Sequence, residues 1–210
     1  MSFHFVVEKI TWFGHASFKI SGEKVIYIDP WKINAHEEAD IILISHSHYD
    51  HFSLEDIKKI ATSNTDILIT PDCQSKLREV PGRVTLTEPR KKYNIQNILI
   101  ETTPAYNLNK KFHPKENEWV GFIINLNQNR IFYAGDTDNI PEIKNIKADI
   151  ALLPVSGTYV MDAKEAADFV NTMKPKIAIP YHYGDIIGTE QDALKFKKLS
   201  QIPVEILKKE

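Results

Sequence analysis

At 210 residues the chain is long for one typical domain and short for two, so one domain spanning residues 1–210 is the first expectation. Hydrophobic residues make up 42% and charged residues 26%, an ordinary globular balance; Lys+Arg at 26 against Asp+Glu at 28 leaves a net charge of -2. That near-neutrality supplies no general attraction to nucleic acid or to anionic membranes.

Taken in chain order, the early hydrophobic run is interrupted by Glu8 and Lys9, so it reads as neither a signal peptide nor a membrane anchor. Apolar segments rich in Ile and Val predict strands at Lys24–Asp29, Ile41–Ser45, Asp66–Thr70 and Ile98–Thr102. Further strands are predicted at Val120–Leu126, Arg130–Ala134, Ile150–Leu153 and Lys176–Pro180. Most are continuous apolar runs, as expected for strands buried on both faces. Ser53 with Asp56 forms a capping-box-like start to a helix ending near Ser63. Asp162 with Glu165 starts a second helix, through Ala163 to about Lys174, stopped by Pro175. Thr189 opens a third, to about Ser200, with Ala193, Leu194 and Phe196 as its inner face. The pattern implies an α/β layered domain without a linker, a low-complexity tract or a clear internal repeat. Asn107 to Glu118 is the one long polar connection, a length often associated with function. The only cysteine, Cys73, excludes an intramolecular disulfide and a thiolate cluster, and the expected setting is cytoplasmic. The basic run Arg90-Lys91-Lys92 reads as a solvated loop.

Chemistry concentrates at strand ends. Three of the 8 histidines, His46, His48 and His51, lie with Asp50 directly after Ile41–Ser45, at the edge where α/β proteins gather ligands. Imidazoles two residues apart on a turning loop can converge on one metal ion, and Asp50 with His51 can address a second. Asp136 follows the strand Arg130–Ala134, and His182 follows Lys176–Pro180. Together these residues make the inventory of a two-metal site. Imidazole and carboxylate ligation suits one or two divalent ions, with Zn2+ the first expectation and Mn2+, Fe2+ or Ni2+ compatible.

The ordered pattern His46-x-His48-x-Asp50-His51, Gly135-Asp136 and His182 resembles the metallo-β-lactamase superfamily. Trp12-Phe13-Gly14-His15-Ala16-Ser17, Ile28-Asp29-Pro30, Ala134-Gly135-Asp136-Thr137 and Pro180-Tyr181-His182-Tyr183-Gly184 are similar to two groups within it. These are the ascorbate-6-phosphate lactonase-like proteins and the phospholipases D that act on N-acyl-phosphatidylethanolamines. The resemblance implies a four-layer αβ/βα sandwich, with His46 and His48 on one metal, Asp50, His51 and His182 on the other, and Asp136 bridging. Asp29 and His15 fall on motifs close to the site in that family. One position departs from the pattern: Asn107 stands where a third histidine is expected, and His113 is the alternative donor.

The resemblance further implies metal-dependent hydrolysis of a small-molecule lactone, phosphoester or phosphodiester by a metal-bound hydroxide. Asp50 would orient the attack and relay a proton, and Tyr106, Tyr183 or His15 would serve the leaving group. Two other readings compete: a non-catalytic metal-binding or interaction protein, and a di-iron redox protein. Flavin-linked di-iron members of that fold carry Glu where this chain has Ser47.

Overall fold

A computed structural model describes residues 7–34 and 37–210. The chain divides into two compact units, Met1–Thr87 with Lys208–Glu210, and Glu88–Leu207. Among the described residues, each unit is built on one six-stranded sheet.

The first unit opens with an antiparallel hairpin of β1 (Ile10–Gly14) and β2 (Ser17–Ile20). His15 and Ala16 make its reversal, with φ 105° at the preceding Gly14 and 47° at His15, and the Trp12 indole N–H fixes it by donating to the His15 carbonyl at 3.1 Å. β2 pairs antiparallel with β3 (Ile26–Ile28). From β3 the sheet continues in parallel through β4 (Ile41–Leu43), β5 (Asp66–Ile69) and β6 (Arg83–Leu86). Phe13, Tyr27, Ile42, Ile44, Ile67 and Ile69 form the core with Ile57 and Ile60 of α1 (Leu54–Ile60). Ser53 caps α1 by accepting the Asp56 N–H, but the Asp56 carboxylate does not return to Ser53 as a full capping box would. It is buried and accepts from the Lys32 N–H and the Lys59 ammonium, both at 2.8 Å. The Cys73 thiol lies in this core, and burial pushes it up to about 12, so it is no nucleophile near neutral pH.

The second unit begins with an antiparallel meander of β7 (Lys92–Ile95), β8 (Ile98–Pro104), β9 (Val120–Leu126) and β10 (Asn129–Tyr133). Two of its reversals are two-residue turns, Gln96-Asn97 and Asn127-Gln128, with positive φ at both positions, the geometry that follows strand twist. β11 (Ile150–Pro154) and β12 (Ile177–Tyr181) then add in parallel to β10. α2 (Ala163–Met173) carries the complete capping box, Asp162 accepting from the Glu165 N–H and Glu165 from the Asp162 N–H. Ala163, Ala166, Ala167, Val170 and Met173 are buried at helical spacing. α3 (Glu190–Leu199) buries Ala193 and Phe196. Leu194, expected on that inner face, is 43% exposed, because one residue's step turns it about 100° away from Ala193.

β1, β2, β6 and β7 were not foreseen as strands. β6 and β7 each lie at one edge of their sheet and are largely exposed, so they carry no apolar run. Each residue of the run Arg90-Lys91-Lys92 has an acidic partner, Glu142, Glu88 and Glu101 respectively. No helix among the described residues is long and apolar enough to cross a membrane.

Candidate metal centre

In the first unit the site begins where two neighbouring parallel strands end. Asp29 follows β3 with its backbone in the left-handed region, φ 44°, and its carboxylate is fully buried. It accepts the Ser45 N–H at 2.7 Å, the Ser45 hydroxyl at 2.5 Å and the His51 Nδ1–H at 2.7 Å. The Ser45 hydroxyl has one proton, and a carboxylate can only accept it. The Ser45 oxygen therefore accepts from His46 Nδ1, 2.9 Å away. One carboxylate thus fixes two imidazoles, His51 directly and His46 through Ser45, with their protons on Nδ1.

The loop that follows is folded on itself, the N–H groups of His51 and Phe52 both donating to the His48 carbonyl. His46 Nε2 and His48 Nδ1 lie 3.1 Å apart. Asp29, His46 and His51 form a buried group whose ligand atoms lie within 4.8 Å of one another. The Asp50 carboxylate is 2.9 Å from His15 Nε2 and 3.8 Å from His51 Nε2. His15 is completely buried against the edge of Trp31, in a left-handed backbone conformation.

In the second unit the candidate donors come from three stretches. Asp136 lies past β10, behind Gly135; a Cβ on Gly135 would meet the Val120 carbonyl oxygen at 2.8 Å, and its φ is 70°. His182 lies just past β12 with φ 65°. Its Nε2 is 3.0 Å from Asp136 Oδ2, while its Nδ1 is 3.0 Å from Ser156 Oγ, beyond the end of β11. His113 Nε2 reaches the same Asp136 oxygen at 3.2 Å. Two imidazole nitrogens therefore converge on one carboxylate oxygen, and all three side chains are buried.

Left-handed backbone outside glycine is costly, about 1–3 kcal/mol, and persists where surrounding contacts over-determine it. His15, Asp29 and His182 all adopt it. The two tyrosines named with them differ. Tyr106 donates its hydroxyl to Glu142 at 2.7 Å, which commits it to a surface ion cluster. Burial, with a smaller contribution from Glu190, pushes Tyr183 up to about 12, so it keeps its proton at neutral pH. Ser45, Ser156 and Asp138 were missed by sequence reasoning. The signal for the two serines was their place, each two residues beyond a buried parallel strand.

The donor chemistry fits a divalent ion: nitrogen and oxygen only, no thiolate, with four imidazoles oriented through Nδ1 by oxygen partners.

The family model described as the beta-lactamase superfamily domain matches residues 9–182, which takes in most of both units. A UPF0173 metal-dependent hydrolase of Thermoplasma acidophilum is 32% identical over 205 residues, covering 91% of this chain and 90% of its own. One from Thermococcus onnurineus is 31% identical, with 95% of each chain covered. A crystal structure of a protein named as a metal-dependent hydrolase, from Parabacteroides distasonis, superposes with a TM-score of 0.83 at 33% identity. That match covers 94% of this chain and 91% of the other. The fold is therefore that of the metallo-β-lactamases. Within that superfamily, the chain belongs to the UPF0173 metal-dependent hydrolase family.

Proposed function

We propose that the chain hydrolyses a lactone, phosphoester or phosphodiester with the help of one or two divalent ions. In this reading the donors are His46, His48, Asp50 and His51 of the first unit and His113, Asp136 and His182 of the second. The observation that carries it is the common posture of His46, His51, His113 and His182. Each has Nδ1 turned to an oxygen partner; at His46, His51 and His113 that oxygen can only accept, which in the neutral ring leaves the lone pair on Nε2, while the Ser156 hydroxyl holds the direction of His182. Zinc suits such donors well, and Mn2+, Fe2+ and Ni2+ are compatible. A bound ion would supply Lewis acidity toward a carbonyl or phosphoryl oxygen and make water more acidic.

The chain's own residues divide the remaining work. Asp50 is the proton acceptor, partly exposed and braced by the buried His15 at 2.9 Å. Asp29 and Ser45 orient His46 and His51. The substrate classes rest on the resemblance of the segments around His15, Asp29, Asp136 and His182 to lactonase-like and phospholipase D-like proteins.

Metal analysis of protein purified without added ions, followed by assays on the three substrate classes after reconstitution, tests the reading. Bound metal and metal-dependent turnover are expected; full turnover by metal-free protein would sink it. Metal-loaded protein inert toward all three classes would favour the binding-protein reading instead.

A further inference from the structure

We infer that Asn107 is a positioning residue for His113, anchored by Asp138, and does not itself ligate metal; this rests on the reading that His113 is a donor. Asn107 stands where a third histidine was expected, so a direct ligand role is its obvious alternative. The structure gives its side chain other partners. Asn107 Nδ2 faces Asp138 Oδ1 at 3.1 Å and the Tyr159 carbonyl at 2.8 Å. Both of those groups only accept, so the atom facing them must be the amide NH2. The orientation of the amide follows from chemistry.

Its oxygen is then turned toward His113, accepting the backbone N–H at 3.1 Å and facing Nδ1 at 3.2 Å. His113 Nδ1 also faces the Tyr159 carbonyl at 3.1 Å. With two acceptors in front of it, Nδ1 carries the proton, and Nε2 is left as the basic nitrogen, 3.2 Å from Asp136 Oδ2. The two N–H groups and two acceptor sites of the amide are all engaged. The Asn107 N–H donates to the His113 carbonyl at 2.7 Å, closing the loop between them.

Asp138 is the fixed end of this clamp. It is 3% exposed and also accepts the Leu108 N–H at 2.8 Å and the Lys110 ammonium at 2.5 Å. The order of dependence runs from Asp138 to Asn107 to the tautomer and direction of His113. A histidine at 107 would lack the paired donor and acceptor faces that this arrangement uses.

The isosteric variant Asn107→Asp separates the two roles. As a ligand, a carboxylate would hold a divalent ion more tightly than an amide. As a clamp, it would set an acceptor against Asp138 and the Tyr159 carbonyl, and His113 would be released. The experiment is zinc competition against a chromophoric chelator for wild type, N107D, N107A, H113A and N107A/H113A. Circular dichroism of each metal-free protein checks that it is folded. Metal affinity is expected to fall about 10–100-fold in N107D and N107A, the usual cost of losing a group that orients a ligand. The double variant is expected to bind no more weakly than H113A, because Asn107 acts only through His113. Tighter or unchanged binding by N107D overturns the inference, as does a further loss in the double variant. Should N107D not fold, N107A and the double variant decide alone. Wild-type affinity in H113A also overturns it while leaving metal dependence intact; failure of wild type to bind metal is the separate failure of the hydrolase reading.

Discussion

The two units solve one problem with different economies of sequence. Each sheet starts antiparallel and turns parallel, at β3 in the first unit and at β10 in the second. In each, polar side chains follow the C-terminal ends of adjacent parallel strands, where backbone groups leave the ladder and ligands gather. Asp29 and Ser45 occupy those ends in the first unit, Asp136, Ser156 and His182 in the second. The first unit then packs its imidazoles into one short loop, oriented by a single buried carboxylate. The second assembles its candidate donors from segments far apart in sequence and holds them by Asn107, Asp138, Ser156 and the Tyr159 carbonyl. A compact donor set depends on one local network, whereas an assembled one depends on every anchor that brings a segment in.

Substitutions that remove donors should break this contrast most completely. His46→Ala with His48→Ala is expected to abolish metal-dependent turnover and reduce bound metal, read by elemental analysis. Asp136→Ala should have a comparable effect, because it removes the oxygen shared by His113 and His182. Retention of wild-type metal content by either variant would show that the side chains it removes are not donors.

Next in size are the serines. Ser45→Ala cuts the link between Asp29 and His46, and Ser156→Ala removes the partner of His182 Nδ1. Each is expected to weaken metal binding about 10–100-fold in chelator competition. Ser45→Ala should be the larger loss, because it also strips a buried carboxylate of a donor; the reverse order would contradict the centralised arrangement of the first unit. Chelation should then lower Tm, by an amount that grows with the free-metal concentration of the comparison sample.

The smallest effect lies away from the donors. The Lys115 hydrogen bond holds Glu142 at about 2, below its usual 4.5, and the Tyr106 hydroxyl assists. A carboxylate lowered on folding adds stability above its unfolded pKa, and that contribution disappears as pH falls through the folded value. Glu142→Gln should therefore lower Tm by roughly 1–3 °C at pH 6–7, with the difference from wild type vanishing between about pH 4.5 and 2. A pH-independent difference would remove the ion cluster as its cause.

Buried strands were legible because their side chains meet apolar surroundings on both faces, as at Val120–Leu126, where expected and observed limits coincide. The capping box of α2 was equally plain, since it is written in four consecutive residues. The outer strands β6 and β7 were not, because exposed edges place no hydrophobic demand on the sequence. Near the donors the same division holds. The density of imidazoles from His46 to His51 is a local property of the chain, and it marked the loop without any structure. The sequence left Asn107 and His113 as alternatives, because spacing along a loop says nothing about which atoms face a buried carboxylate. Tertiary contacts set that facing: Asp138 and the Tyr159 carbonyl engage the amide of Asn107, and His113 Nε2 lies toward Asp136. Local patterning determined which residue types were available; long-range hydrogen bonding, which pairs most buried polar groups, determined which atoms each of them faces.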